Sequence, residues 1–457
     1  MKRVKNVLLI FPRMQYASGD PPLGMCYIAT ALKKANFNVS VLDTTFNPTF
    51  DYVRNFIKKD KPDLAGIYVD TIMYNDALKI IDILKEENIP IVVGGPHPTL
   101  RPDTLIDKAD VLVYKEAEQT FVELAEKYPE IDDVRGIQFK KDGKEIKNPE
   151  MPYIKLNELD PPALEFLEME EYIKRWHYMD SIDPNIRGTN MVTSRGCPYR
   201  CTYCQPTLNT LFGQTIRRRN AENVIKEIKI LKEKYNIDGI FFHDDTFTIH
   251  RPWVIDFCKK LKEANLDIKF GCNTRANTLD KEMMQIMYEG GLRTLHMGIE
   301  SGSQRILDEI YKKDIVLDQA KQVIADAKEL GIHVLGFFMI GAPTETRKEI
   351  EQTIKFATSL KCDEASFSIA SPLPHTSLYD YVKENGYEMS DNFSDYNYYS
   401  QRAFKDPNGP SFKELQYLQK KALVTFYLHP YRWNYLFNHL TSIAGYRKMF
   451  NKVKRFL

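Results

Sequence analysis

Three cysteines carry the most specific chemistry in the chain: Ser194-Arg-Gly-Cys197-Pro-Tyr-Arg-Cys201-Thr-Tyr-Cys204. Thiolates spaced C-x3-C-x2-C, directly after a strand-length segment, fit a loop folded around a compact metal centre. Soft thiolate donors select zinc, copper(I) or iron–sulfur clusters. A structural zinc site takes four protein ligands, usually from two paired knuckles, and no second Cys/His pair of that spacing occurs here. Three ligands on a four-iron cluster leave one iron open to an exogenous ligand. A zinc ion completed by a remote histidine is the alternative. Cys26, Cys258, Cys272 and Cys362 lie singly in apolar or mixed segments and read as small buried hydrophobes. Seven cysteines, an odd number in a long chain, argue against a disulfide framework.

The elements that must position this triplet are an α/β series beginning near Thr189. Apolar strands at Met191–Ser194, Gly239–His243, Ile268–Cys272, Thr294–Gly298, His333–Ile340 and Ala365–Ile369 alternate with helical patterns such as Ala221–Tyr235 and Ile315–Leu330. Six strand–helix repeats suit an incomplete parallel barrel with its site at the carboxyl ends of the strands. Those ends carry Asp244 and Asp245, Arg275, Glu300 and Ser301. Singly, each has an ordinary reading as a helix cap, a helix-end charge or a surface ion pair. Arg275 at a strand end also suits a carboxylate clamp.

A different α/β series precedes it. Val7–Phe11, Val39–Asp43, Leu64–Val69, Ile91–Gly94 and Val111–Tyr114 are strand-length apolar runs separated by helical patterns, which indicates a doubly wound parallel sheet. Ligands of such sheets sit beyond the carboxyl ends of the strands. Here those ends carry Pro12–Pro22, Asp70–Tyr74, Gly94–Thr99 and Lys115–Glu116. Ile137–Asn148 turns at Asp142-Gly143 as a hairpin, and a Pro- and acid-rich connector follows. The expected organisation is a Rossmann-like domain over 1–135, hairpin and linker over 136–185, a partial (β/α)6 barrel over 186–380 and a helical segment over 381–457. Helices are expected at Phe412–Leu428 and Tyr431–Leu440. The aromatics Phe426, Tyr427, Tyr431, Trp433, Tyr435 and Phe437 read as core in preference to a pocket roof, and Arg447–Arg455 as a solvated helix face.

Composition sets bounds. The 457 residues carry 63 Lys and Arg against 62 Asp and Glu, a formal charge of +1. That balance makes no case for nucleic acid or an anionic membrane surface. At 43% hydrophobic and 27% charged, the chain is globular in type rather than disordered. No apolar run approaches the ~20 residues of a transmembrane helix. The basic start with its short apolar run reads as a first strand rather than a signal peptide, so a cytoplasmic location is expected.

C-x3-C-x2-C after the first strand of a six-repeat barrel resembles the signature of radical S-adenosylmethionine (SAM) enzymes. The resemblance implies a 4Fe-4S cluster on Cys197, Cys201 and Cys204 whose open iron is chelated by SAM, cleaved to a 5′-deoxyadenosyl radical. It further implies a backbone contact from Tyr203 near adenine and a contact from the Phe241-Phe-His-Asp244-Asp245 segment to the methionyl amine. Gly298-Ile-Glu300-Ser301 matches the family's ribose motif, and Ile340-Gly-Ala-Pro-Thr-Glu345 its motif beside adenine. Ser371-Pro-Leu-Pro-His375-Thr376 occupies the position of the family's Pro-x-Pro-Gly-Thr element; Ala342, Thr344 and His375 depart from the commoner glycine-containing forms.

Along its whole length the chain is similar to cobalamin-binding radical SAM proteins of the type that includes the anaerobic magnesium-protoporphyrin ester cyclase. The matching N-terminal segments are Pro21–Ala29, containing Gly24, then Gly94-Gly95-Pro-His97, and Lys115-Glu116-Ala-Glu118. On this resemblance Gly24, Asp70, Thr71, Gly94, Gly95, His97 and Glu116 line a corrin site, the glycines allowing close backbone approach. The loop Pro12–Pro22 lacks the histidine of Asp-x-His-x-x-Gly proteins, so no cobalt ligand is expected from it. A nucleotide-binding or purely structural domain is the alternative.

The expected activity is a cobalamin-dependent radical methyltransferase acting on an unactivated carbon, with methyl transfer through methylcobalamin. Its rivals are a non-methylating relative (oxidative cyclase, ring contraction or rearrangement) and a sensor without turnover. The substrate, a small molecule, lipid or peptide, is not specified, and a flavodoxin- or ferredoxin-type electron donor is implied.

Overall fold

Asn6–Phe11 (β1) lies between Asn38–Asp43 (β2) and Leu64–Tyr68 (β3) in a parallel sheet continued by Ile91–Gly94 (β4) and Val111–Val113 (β5). The computed structural model describes residues 3–179, 182–396 and 403–433. Alternation along β1 explains the layers. Val7, Leu9 and Phe11 face one core with Met25, Ala29 and Leu32 of Leu23–Lys34 (α1) and Phe121 and Leu124 of Glu118–Lys127 (α4). Leu8 and Ile10 face the other, against Val53 and Ile57 of Phe50–Asp60 (α2) and Ile80, Ile81 and Leu84 of Tyr74–Glu86 (α3). Strands buried on both faces require continuous apolar runs, which is why they were legible. The spatial order 2-1-3-4-5 reverses at β1, and the loops after β1 and β3 flank the resulting crevice.

The hairpin corrects one expectation. Ile137–Lys141 (β6) and Lys144–Lys147 (β7) do not belong with the connector. They extend this sheet antiparallel to β5, pairing Val111 with Phe139 and Val113 with Ile137. Ile137 and Phe139 are buried and need the sheet's core, while β7 presents a charged edge that discourages further pairing. Asp142 (φ 51°) and Gly143 (φ 76°) supply the left-handed turn. A boundary after residue 135 therefore cuts a continuous sheet.

Two compact units result. The first runs to Trp176 and includes Thr207–Arg217; the second contains His177–Pro206 and the chain from Arg218 onward. The second is built on six parallel strands in sequence order: Gly188–Met191 (β8), Gly239–Phe242 (β9), Lys269–Thr274 (β10), Leu292–Glu300 (β11), His333–Ile340 (β12) and Glu364–Ile369 (β13). The first of these ends about three residues earlier than expected, because Thr193 and Ser194 turn their polar groups to Asp244 instead of continuing the ladder. Along β12, Val334, Gly336, Phe338 and Ile340 are buried, while the alternate residues are half-buried. Phe338, Phe367 and Phe426 form a ring stack that seats the helix Phe412–Leu428 (α5) on the buried face. Phe241, His296 and Phe337 meet on the opposite, less buried face, where Tyr178 stacks on Phe241 at 4.2 Å.

The helix expected over Tyr431–Leu440 lies largely outside the described residues; Pro430–Arg432 is a short 3-10 turn. Tyr431 and Trp433 are exposed rather than core, and Tyr435, Phe437 and Arg447–Arg455 lie outside the described residues. No helix among the described residues is long and apolar enough to cross a membrane.

Candidate cofactor site

The cysteine loop leaves β8 and is fastened to its own unit at both ends. Asp244, buried at the end of β9, accepts the Thr193 N–H at 2.6 Å, the Ser194 hydroxyl at 2.7 Å and the Thr193 hydroxyl, with Arg218 Nη1 3.5 Å away. Thr202 donates its N–H to Tyr311 O (3.0 Å) and its hydroxyl to Ile310 O (2.7 Å); the N–H groups of Ser377 and Leu378 bond Gln205 O and Thr202 O. All three cysteines are free thiols, Cys201 buried and the others half-buried. Burial raises the Cys197 and Cys204 thiols, so they deprotonate only with a compensating cation. Among the described residues no three His, Cys, Asp or Glu side chains are gathered as a single metal ion requires. The triplet fits a cluster by donor chemistry, three soft ligands from one anchored loop, rather than by convergence on one point.

Arg275, expected as a clamp for a carboxylate, is instead engaged at the loop. Its Nη1 lies 3.1 Å from Cys201 Sγ, Nε donates to Asn277 Oδ1, Nη2 donates to Lys313 O, and the guanidinium stacks 3.6 Å above the Tyr199 ring centre. Asp245 differs from its neighbour Asp244. It is reachable by solvent, yet crowding protein atoms and the Asp244 charge raise its carboxyl to about 6, against a hydrogen bond from the Gly196 N–H. Of the two, only Asp245 keeps a carboxylate open to a ligand.

Glu300 ends β11 in the left-handed region (φ 71°) and turns its carboxylate inward. Oε1 accepts Lys313 Nζ at 2.6 Å and Tyr203 Oη at 3.2 Å, and Lys313 also donates to Tyr203 Oη at 2.9 Å. Gly298 is a steric requirement of this arrangement: a Cβ there would lie 2.4 Å from Glu300 Oε1 and 2.8 Å from Lys313 Nζ. Lys313 was missed in the sequence, where it sits in an unremarkable Lys-Lys pair. Ser301 and Ile340 are both fully buried. Ser301 Oγ meets Thr353 Oγ1 (3.1 Å) and accepts the Ser303 N–H, while Ile340 gives its carbonyl to the Ala370 N–H. Neither offers a free group of the kind expected.

In the first unit, the loops after β1, β3, β4 and β5 gather the remaining residues. Gly24, in the first turn of α1, is exposed and has no atom within 4 Å of where a Cβ would sit. At Gly95 (φ 112°) a Cβ would strike Val69 O at 2.7 Å, so its missing side chain serves backbone packing; Gly94 has ordinary room. Asp70 accepts the Met73 N–H at 2.7 Å in the turn that precedes α3. His97 is buried with Nδ1 3.2 Å from Thr71 Oγ1 and Nε2 3.1 Å from Thr104 Oγ1, and burial lowers its pKa to about 4. It is a neutral loop histidine, not a ligand in waiting. Glu116 is committed too. Its carboxylate takes both Nη atoms of Arg217 (2.5 and 3.1 Å) and the Ile154 N–H, while Arg217 lies over the Tyr153 ring. Sequence proximity to the cysteines hid the fact that Thr207–Arg217 packs with this sheet, its helix Thr207–Phe212 beside Pro96–Leu100.

Comparison with known proteins identifies both domain types. Residues 191–357 match the radical SAM superfamily and residues 17–125 the B12 binding domain. An uncharacterised methyltransferase of Pyrococcus horikoshii is 35% identical over 444 residues, covering 94% of each chain. The anaerobic magnesium-protoporphyrin IX monomethyl ester cyclase of Rubrivivax gelatinosus is 29% identical over 82% of this chain and 69% of its own. The fold is shared with the radical SAM methyltransferase TsrM from Kitasatospora setae, solved with cobalamin and a 4Fe-4S cluster, at TM-score 0.70, 18% identity and coverage of 85% and 81%. The chain belongs to the radical SAM superfamily, in its branch with an N-terminal B12-binding domain.

Proposed function

We propose that the protein is a cobalamin-dependent radical SAM methyltransferase that adds a methyl group to an unactivated carbon. One observation carries the reading: a three-thiolate loop at the head of a six-stranded parallel sheet shares its chain with a B12-type sheet, and a methyltransferase aligns with 94% of that chain. When bound, the cluster and SAM supply a 5′-deoxyadenosyl radical, and cobalamin supplies the methyl group.

The chain's own residues hold and orient. Cys197, Cys201 and Cys204 would hold the cluster, Asp244 fixes their loop through Thr193 and Ser194, and Arg275 places its guanidinium beside the Cys201 sulfur. Asp245 offers its carboxylate to the methionyl ammonium. Glu300, held by Lys313 and Tyr203, sets the backbone and charge at the ribose position. Gly24 leaves room for a corrin edge, with Asp70, Thr71 and Gly94 at neighbouring strand ends. A radical SAM enzyme needs an external electron donor. Flavodoxin or ferredoxin suits that role in the cytoplasm, a compartment supported by seven free cysteines.

The test uses the anaerobically reconstituted protein and SAM with a labelled methyl group. With a strong reductant present from the start, to bring cobalt to the state that accepts a methyl cation, about one S-adenosylhomocysteine should form per bound cobalamin, and 5′-deoxyadenosine should form beside it. Deoxyadenosine without any homocysteine product would move the assignment to a cyclase or rearrangement catalyst, the reading favoured by the Rubrivivax gelatinosus relative.

A further inference from the structure

Helix α5 is apolar on two faces. Leu415, Leu418, Ala422 and Phe426 are buried against the barrel, as an ordinary amphipathic helix requires. On the opposite face Tyr417, Val424 and Leu428 are 59%, 57% and 63% exposed, at seven- and four-residue intervals that align them in one stripe. Lys413 and Lys420 flank that stripe, both exposed.

The turn after α5 extends the patch and fixes it. Arg432 is buried: its guanidinium donates to Leu360 O (2.6 Å), Cys362 O (3.0 Å), Phe426 O (3.1 Å) and Thr358 O (3.3 Å) and stacks on Phe426. Anchoring residue 432 inward throws Tyr431 and Trp433 outward, and the Trp433 indole N–H bonds Leu428 O at 3.0 Å. Exposed aromatics held this firmly lose little entropy on docking.

Local charge supplies the identity of the partner. The whole chain is nearly neutral, but no Asp or Glu follows Glu414, whereas eight Lys and Arg do. In that stretch Ile443, Tyr446, Phe450, Val453 and Leu457 recur at alternating intervals of three and four, with basic residues between them. An apolar stripe flanked by lysines, with Trp and Tyr at its end and an acid-free basic run following, matches the requirements of an anionic lipid surface: apolar insertion, interfacial aromatics and Coulombic attraction. The aliphatic members offer nothing for nucleobases to stack on, which disfavours a nucleic acid.

We propose that the outer face of α5, with Tyr431 and Trp433, docks the protein on an anionic membrane surface. The net charge of +1 concealed this because acidic residues elsewhere cancel the basic run.

The test is co-sedimentation of the full-length protein with vesicles of phosphatidylcholine and phosphatidylglycerol in equal parts, against pure phosphatidylcholine. Partitioning should be at least about tenfold stronger on the anionic vesicles and fall severalfold at high salt. Val424→Glu/Leu428→Glu should reduce it about tenfold or more, as should Trp433→Ser, a change in an exposed turn that keeps the reading independent of helix integrity. Equal partitioning on the two vesicle types, or binding unchanged in both variants, would overturn the proposal. So would a vesicle-free dimer that the double variant dissociates, since the face would then belong to a second copy of the chain.

Discussion

The buried Lys313–Glu300 pair decides what a single substitution can do at the ribose motif. Removing one partner of such a pair strands a charge, at a cost of about 3–5 kcal/mol, whereas replacing both is far milder. Lys313→Met should therefore destabilise strongly, and Glu300→Gln/Lys313→Met should recover much of the thermal midpoint. Deoxyadenosine formation should stay depressed in both, because Glu300 no longer holds its charge in place. Recovery of activity along with stability in the double variant would remove Glu300 from the site. Asp245 gives a second expectation. Its carboxyl titrates near 6, raised by crowding and by Asp244. Below that pH it is neutral and cannot attract the methionyl ammonium, so SAM affinity should fall by up to about tenfold per unit as pH drops through 6. Asp245→Asn should bind weakly and without that slope, as isothermal titration between pH 5 and 7.5 would show.

At the scale of elements, Glu345 ties the turn after β12. Its Oε2 accepts the N–H groups of Gly341 (2.6 Å) and Ala342 (3.0 Å), and complete burial raises its carboxyl to about 8. The unfolded chain releases that proton near pH 4 and the folded chain keeps it to about 8, so the folded state binds one more proton between them. Unfolding free energy should fall with rising pH by about 1.4 kcal/mol per unit from this group. Glu345→Gln keeps an oxygen acceptor but not the titration, so its thermal midpoint should gain on the wild type from pH 5.5 to 7.5. What the sequence revealed divides along the same physical line. Strands and helices with continuous or periodic apolar runs, such as Ile91–Gly94, Ala221–Tyr235 and Phe412–Leu428, were readable residue by residue. The cysteine triplet was readable because three soft ligands at fixed spacing have few other uses. Lys313 was not. It reaches Glu300 only because Ile306–Tyr311 winds as a π-helix and Lys312 (φ 50°) reverses the chain after it, and neither departure has a periodic signal. Glu116 and Arg217 were equally hidden, since their pairing spans 101 positions of sequence.

For the whole molecule, the division into two units makes a separable prediction about the cofactors. The cysteine loop up to Pro206 draws its anchors from the second unit, through Asp244, Tyr311 and Ser377. The loops proposed for cobalamin draw theirs from the first, through the Asp70–Met73 turn, the Thr71–His97–Thr104 chain and the Glu116–Arg217 clamp. Changing Cys197, Cys201 and Cys204 together to Ala should abolish iron–sulfur absorbance and deoxyadenosine release while leaving cobalamin binding within about twofold of wild type, because the three thiols lie wholly in the second unit. Arg217→Met tests the converse, because it releases Glu116 and the Thr207–Phe212 helix from the first unit while leaving the thiols in place. It should weaken cobalamin binding more than it reduces iron content. Iron loss matching that of the triple cysteine variant would instead mean that Thr207–Arg217 carries strain back into the cysteine loop, and that the two sites fold as one.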